Sequence, residues 1–482
     1  MYHEHPIKIL KYSSKNIWLL IFPLFRNIKN FHISSDFFYN WIRGAWFDIL
    51  IVGLIVIFGM LKWHFSEIII GDNSIIHTNG LFIKVKTVIP YRNISSLTFE
   101  RPFYLTPFRA IRFRCDTSSG IFNSADMKLT INERVYSSIC KQIPNIKCND
   151  HSNGLPKPTA ISIILFSMFF SSGLSGAIYM AAFFFKGGDI ARKIISEYLK
   201  KISAGTEMIT GSHLIKISNA AFGIGVFFIG AWFISFIINI QRYSRYNVNM
   251  DDKCLKLSYG VITRRDYHIT SVHINYTDLR QNLIMKLFRA ITVHISCSGY
   301  GSGRNLPVLL PVKKEKKMSR ELEAMGILSG ASSEFCPKGI KNLWQYTWMP
   351  VLCALLSFPL HKIISGFIPE LYELTLFAAI MAEVPSIWFI AVKIGAFITS
   401  GISLYDDKIM VRCNKLNTFH TVIADRRKLI QFEIEQTIFQ RRRKACSIIF
   451  YFEGEKHKRY KVKGISVKDA NDISLLLDYD SI

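Results

Sequence analysis

The sequence predicts an α+β membrane protein made of three repeats, each an apolar helical hairpin followed by a small β module that closes with a helix. Three observations predict it. Apolar runs come in pairs, a polar segment of alternating residues follows each pair, and Phe-Arg-Ala-Ile recurs with its flanks at 108–111 and 288–291.

The helices come first. Half of the 482 residues are hydrophobic and the mean hydropathy is +0.21, rich for a water-soluble chain. The uncharged runs from Thr159 to Phe185 and from Ile217 to Gln241 exceed the roughly 20 residues that carry a helix across about 30 Å of hydrocarbon. A weaker first pair spans about 16–34 and 44–62, and a third spans about 345–368 and 374–398, interrupted by Lys362, Glu383 and Pro385. The hairpins therefore occupy 1–62, 158–240 and 345–400, and the β modules 63–157, 241–344 and 401–482. No small-residue cleavage site follows "IWLLIFPLF" (17–25), so that stretch reads as an anchor rather than a removed signal.

The modules come second. Asp72 to Phe108, Asp252 to Phe288 and Asp407 to Arg443 are equally spaced, so the three segments share one register without gaps. Within it, Asn79-Gly80, Gly260 and Asn414-Lys415 fall at one place and predict a hairpin turn after the first strand. Runs such as "GLFIKVKTVI" and "ACSIIFYFEG" read as strands. The tails "ADMKLTINERVYSSICKQI", "KKMSRELEAMGIL" and "SVKDANDISLLLDY" read as closing helices.

Composition narrows the function classes. Sixty Lys and Arg against 35 Asp and Glu give a net charge of +25, which suits anionic lipid or the cytoplasmic face of a membrane. Even helix numbers would put all three modules and both termini on one side, and the three Lys of the short N-terminus favour the cytoplasm for it. The nine cysteines show no CxxC pair or zinc spacing and read as reduced. No phosphate-binding loop, HExxH or GxSxG occurs, and "SGYGSGR" (298–304) lacks the following helix that a phosphate cradle needs. We expect no enzyme, no cofactor, no catalytic residue and no metal. His3 and His5 read as part of a solvated N-terminus. Basic clusters "QRRRK" (440–444), "KKEKK" (313–317) and "ADRRK" (424–428) are too poor in aromatic residues for nucleic acid.

The stretch "QNLIMKLFRAITVHISCSG" (281–299) resembles membrane proteins of the YdbS/YdbT type, which carry the bacterial pleckstrin-homology (PH)-like domain, in the YdbT-like form with multiple copies. The family pattern is Gln, four residues, Arg, two residues, Gly, then an alternating strand. Gln281, Lys286 and Arg289 hold those places, as do Gln436, Arg441 and Lys444 in "QTIFQRRRKACSIIF". Arg101, Thr106 and Arg109 depart at all three. His5-Pro6 and "TVIPYRNISSLTFERP" (87–102) also match. The resemblance implies a PH-like β-barrel or sandwich capped by a C-terminal helix, in three copies, without an established activity.

From these readings the chain is expected to be a non-catalytic scaffold, an envelope component linked to stress. Its contacts would be with partner membrane proteins or anionic headgroups, and a homo-oligomer is open to it. The contact residues would be Lys286, Arg289, Arg441, Arg442, Arg443 and Lys444. Near an anionic leaflet each basic residue contributes about 1 kcal/mol. Amphipathic 190–204 could lie on the bilayer or pack on a helix pair. The alternative is a transporter or channel subunit with Glu383 as its intramembrane ionisable site. The structural reading of Glu383 pairs it with Lys362 or His361.

Overall fold

The computed structural model describes residues 2–14, 46, 50, 53–118, 125–143, 158–170, 219–251, 254–297, 299–300, 308–317, 333–337, 342–405, 407–454 and 458–478. Most of the first hairpin, the amphipathic stretch 190–204 and the second closing helix lie outside them. The chain divides into two compact units, 1–157 with 245–274 and 297–305, and 158–244 with 275–296 and 306–482.

In the first unit, β1 (Tyr2–His3), β2 (Glu67–Ile70), β3 (Ser74–Asn79) and β4 (Val85–Pro90) form an antiparallel sheet in that order. It faces β5 (Ile94–Pro102), β6 (Ala110–Thr117) and β7 (Met127–Asn132), and α2 (Glu133–Gln142) closes the end, following α1 (Ile7–Ser14) in the chain. Alternation decides what is inside: Ile68, Ile75 and Ile89 meet Leu97, Phe99, Phe113 and Ile131, and Val135 and Ile139 of α2 complete the core. This is the predicted sandwich with its closing helix.

The sheet does not end there. Strand β5 also pairs along its other edge with β10 (Thr263–Thr270), which continues into β9 (Cys254–Tyr259) and β8 (Asn247–Met250) of the next segment. In the second unit, β11 (Tyr276–Asn282), β12 (Ala290–Ser296) and β13 (Val308–Lys314) pair through β11 with β17 (Thr418–Asp425) of the third segment. That strand leads through β16 (Lys408–Lys415) and β15 (Gly401–Leu404) to β14 (Ser333–Phe335). Strands β18 (Leu429–Glu435), β19 (Ala445–Phe452) and β20 (Lys458–Ser466) form a separate sheet. They pack on β15–β17 with α7 (Val467–Asp478, counted after the helices below) through Ile409, Val411, Ile448, Phe450, Val462 and Ile473. Sheets thus run across segment boundaries, which the repeat pattern alone did not indicate.

Besides the short apolar helix Gly53–His64, the described residues include α3 (Ala160–Phe170), α4 (Asn219–Tyr243), α5 (Trp344–Phe367) and α6 (Tyr372–Thr399). The last two are long and apolar enough to cross a membrane, and their limits fall within two residues of those read from sequence. Leu355, Ile363 and Phe367 of α5 are all exposed. Ser357 of α5 donates to Glu383 Oε2 of α6 at 2.7 Å. This replaces the expected partners, since His361 instead meets Thr375 at 2.9 Å.

Two further expectations need correction. The N-terminus is folded rather than solvated: β1 joins β2, His5 Nε2 lies 3.0 Å from the Phe108 carbonyl, and buried Glu4 is ion-paired with Lys8. Cys254 is disulfide-bonded, whereas Cys115, Cys140, Cys297, Cys336, Cys353, Cys413 and Cys446 are free.

Candidate functional site

The recurrent motif builds one turn three times. Between the first and second strands of each second-half sheet the chain reverses, and the last residue before the returning strand has positive φ. These residues are Arg109 (54°), Arg289 (51°) and Lys444 (49°). The position the family fills with Gly is therefore a left-handed one, where a Cβ costs roughly 1–2 kcal/mol. Ala110, Ala290 and Ala445 follow and are buried.

The Gln of the motif braces this turn. Gln281 Nε2 donates to the Ala290 carbonyl at 2.9 Å, and Gln436 Nε2 to that of Ala445 at 3.0 Å. Asn282 caps the first one-turn helix by accepting from the Met285 amide at 2.7 Å. Thr437 and Gln440 form a capping box on the second. In the first segment Arg101 replaces the Gln and reaches Asp266 of β10 at 2.7 Å, with its guanidinium 4.6 Å from the Tyr136 ring centre. Its departure from the motif thus serves the pairing of β5 with β10.

Side chains that backbone geometry does not use point to function. In the third segment Arg441, Arg442, Arg443 and Lys444 are exposed beside Ile438 and Phe439, which are 74% and 76% exposed. A cleft of about 390 Å³ opens there, lined by Gln436, Arg441, Lys444, Ser466, Val467 and Lys468. Three linings are cationic and none is acidic. Ser466 and Val467 stand at the start of the 12-residue α7, whose positive end adds to the field. The Asp469 amide already donates to Ser466 Oγ at 3.0 Å, and the Val467 amide to the Lys444 carbonyl at 3.1 Å.

The turn is also fixed to the long apolar helix α5. Gln440, buried, donates to Gln345 Oε1 in the first turn of α5 at 2.9 Å and to Ser447 Oγ at 2.8 Å. Tyr346 of α5 donates to the Lys463 carbonyl at 2.8 Å. Leu283, on the equivalent turn of the second segment, packs with Val392, Ala396 and Trp388 of α6 around Phe419. Trp388 donates to Asn417 at 3.0 Å. Both basic turns of this unit therefore abut the ends of apolar helices that reach the β modules.

The six expected contact residues separate into two groups. Lys286 lies 4.4 Å from the Phe419 ring centre, and burial lowers its ammonium below the usual lysine range against a smaller opposing pull from Glu315. Arg289 is exposed on the same turn. Arg441 and Lys444 meet in the cleft, whereas Arg442 and Arg443 flank it without lining it. Lys468 and Ser466 escaped sequence reading. The signal was present as Ser-Val-Lys-Asp ahead of an apolar helix, but only the folded turn brings it beside Arg441.

A second charged cluster was also missed. Asp278 on β11 is buried, with Arg280 Nε at 2.7 Å and His420 Nδ1 of β17 at 3.0 Å. Burial pushes the Asp278 carboxyl up, but Arg280 and His420 together outweigh it and hold the group well below the usual carboxylate range. The buried thiols behave conventionally: burial pushes Cys413 up to about 12. Among the described residues no group of His, Cys, Asp and Glu is arranged to hold a metal.

Residues 24–140 and 204–325 match the family model described as Bacterial PH domain, and segment 401–482 lies outside both matches. No curated protein matches the chain.

Proposed function

We propose that this chain, whose residues 24–140 and 204–325 belong to the bacterial PH domain family, is a membrane-anchored, non-catalytic binding scaffold that holds anionic headgroups at the bilayer surface. Segment 401–482 is its third PH-like copy, on the strength of the shared turn at Gln436, Lys444 and Ala445. The observation that carries the reading is the cleft of Arg441, Lys444 and Lys468 at the start of α7, with exposed Ile438 and Phe439 beside it. Cations would meet phosphate oxygens while the apolar pair enters the acyl boundary, the combination that stabilises peripheral contact with charged bilayers. Linkage of the turn to α5 through Gln440 holds it near the membrane at no further cost in translational freedom.

The test uses the full chain in nanodiscs of phosphatidylcholine alone and titrates a short-chain phosphatidylglycerol. Saturable binding is expected, weakening at least tenfold in a variant with Arg441→Glu, Lys444→Glu and Lys468→Glu, from about 1 kcal/mol per charge. Unchanged affinity in that variant refutes the site. Cytoplasmic orientation is part of the proposal, resting on the basic residues near the helix ends. A disulfide at Cys254 belongs to oxidising compartments. Impermeant thiol labelling of Cys336, which precedes α5, in intact cells therefore decides the side.

A further inference from the structure

Two strand pairings join successive segments, and they are the same pairing. Ser96 faces Ile269 across β5 and β10, and Tyr276 faces Ala424 across β11 and β17. Aligned on Asp72, Asp252 and Asp407, these are identical positions in the repeat, so both junctions share one register. Such a head-to-tail contact has no built-in end.

Each junction joins the opening strand of one segment's second sheet to the third strand of the next segment's first sheet. By the same equivalence β18 is the unused opening strand of the last segment and β4 the unused third strand of the first. Among the described residues both stand at the end of their sheets. Strand β18 even carries the irregularity between Leu429 and Gln431 that β5 carries between Ile94 and Ser96.

Burial shows what the ends lack. Phe99 and Leu279, covered at the two junctions, are 0% and 7% exposed, whereas Ile434 at the same position of β18 is 45% exposed. His268 and Ile423 are 5% and 4% exposed, whereas Val88, their counterpart on β4, is 49% exposed. Strand β18 has no proline and leaves Ile430 and Ile434 on show, whereas β4 carries Lys86 and reaches a proline only at its last residue, Pro90.

We infer that β18 of one copy pairs with β4 of a second copy in the junction register, so that the protein assembles head to tail through its sheets. In that register Gln431 faces Ile89, Glu433 faces Thr87 and Glu435 faces Val85 on one side. Phe432 faces Val88 and Ile434 faces Lys86 on the other, so Val88 covers the open flank of the last core as His268 covers Phe99. The edges are of opposite sign, Glu433 and Glu435 on one and Lys84 and Lys86 on the other, which favours encounter between unlike ends over like ones. The inference does not depend on the anion cleft.

The test is made on the full chain in its own membranes. Thr87→Cys combined with Glu433→Cys is expected to give a ladder of reducible oligomers on mild oxidation, while each single variant stays at the monomer mass beside wild type. Ile434→Lys, which sets a lysine opposite Lys86, is expected to weaken association of the detergent-purified protein at least about fivefold. Adding Lys86→Glu in the same chain is expected to restore it, as a local fault in folding would not be. Absence of the ladder together with concentration-independent monomers overturns the inference. Covalent dimers from Glu433→Cys alone overturn it too, because they mean that like edges pair.

Discussion

The two junctions keep one register with different chemistry. Between β5 and β10, Glu100 lies opposite Arg265, at 3.3 Å, and Arg101 reaches Asp266 at 2.7 Å, with the arginines in partial contact with solvent. Between β11 and β17 the charge goes inward: Asp278 is buried with Arg280 and His420, and Tyr276 and Tyr460 close over it. Backbone hydrogen bonds fix the register in both, since a slip of one residue would turn every side chain to the wrong face. The side chains are free to differ in how they hold it. The comparison teaches that the junction is a property of strand position and not of any particular ion pair.

The largest expected effect breaks the second junction. Asp278→Ala leaves Arg280, whose side chain is 15% exposed, without its carboxylate and should cost about 3 kcal/mol, read as early amide exchange of β11 and β17 while β5 and β10 keep their protection. Next is Asp266→Ala at the first junction, where the buried carboxylate is lost from a pair whose arginine, Arg101, is more exposed than Arg280. About 2 kcal/mol is expected, with exchange now rising in β5 and β10. If both variants loosened the same strands, the junctions would not be independent.

Acid should separate the junctions as well. The folded carboxyl of Asp278 is held below its unfolded value, so its contribution is complete above that value, near 3.9, and is lost as pH falls through the lower folded one. Exchange of β11 and β17 should therefore accelerate only below about pH 4. Asp278→Asn should remove the acid dependence while retaining part of the stability.

Much of this arrangement was legible in the sequence, and the reason is local. Alternation and the equal spacing of Asp72, Asp252 and Asp407 located strands and turns, because period 2 and turn chemistry act over a few residues. The third hairpin shifts only slightly, with positive φ at Leu416 rather than at the predicted Asn414-Lys415. Pairing between segments was not legible, because a strand's alternation tells which face is buried and nothing about what lies along its edge. The same gap hid Asp278 and His420, which are 142 residues apart. It also hid the cleft, whose Lys468 joins Arg441 only when α7 folds back on the turn. Glu383 shows the limit for helices: apolar patterning placed α5 and α6 but pointed to Lys362 or His361 as its partner, where Ser357 holds it.

The smallest expected effect sharpens the comparison at the turn that every segment shares. Arg109, Arg289 and Lys444 adopt left-handed backbone conformations against the preference of a side chain with a Cβ. Replacing one with Gly removes that strain but also loosens the unfolded chain, terms of about 1–2 and about 0.5–1 kcal/mol that oppose each other. Lys444→Gly should thus gain no more than about 1 kcal/mol in thermal unfolding. It should weaken phosphatidylglycerol binding, because the cleft loses one of its three cations. Arg109→Gly should gain as much stability and leave that binding unchanged, since its segment contributes nothing to the cleft lining. Equal changes in binding from the two variants would mean that the turn acts through its backbone alone, and that the basic side chains at this position are carried by the fold rather than used by it.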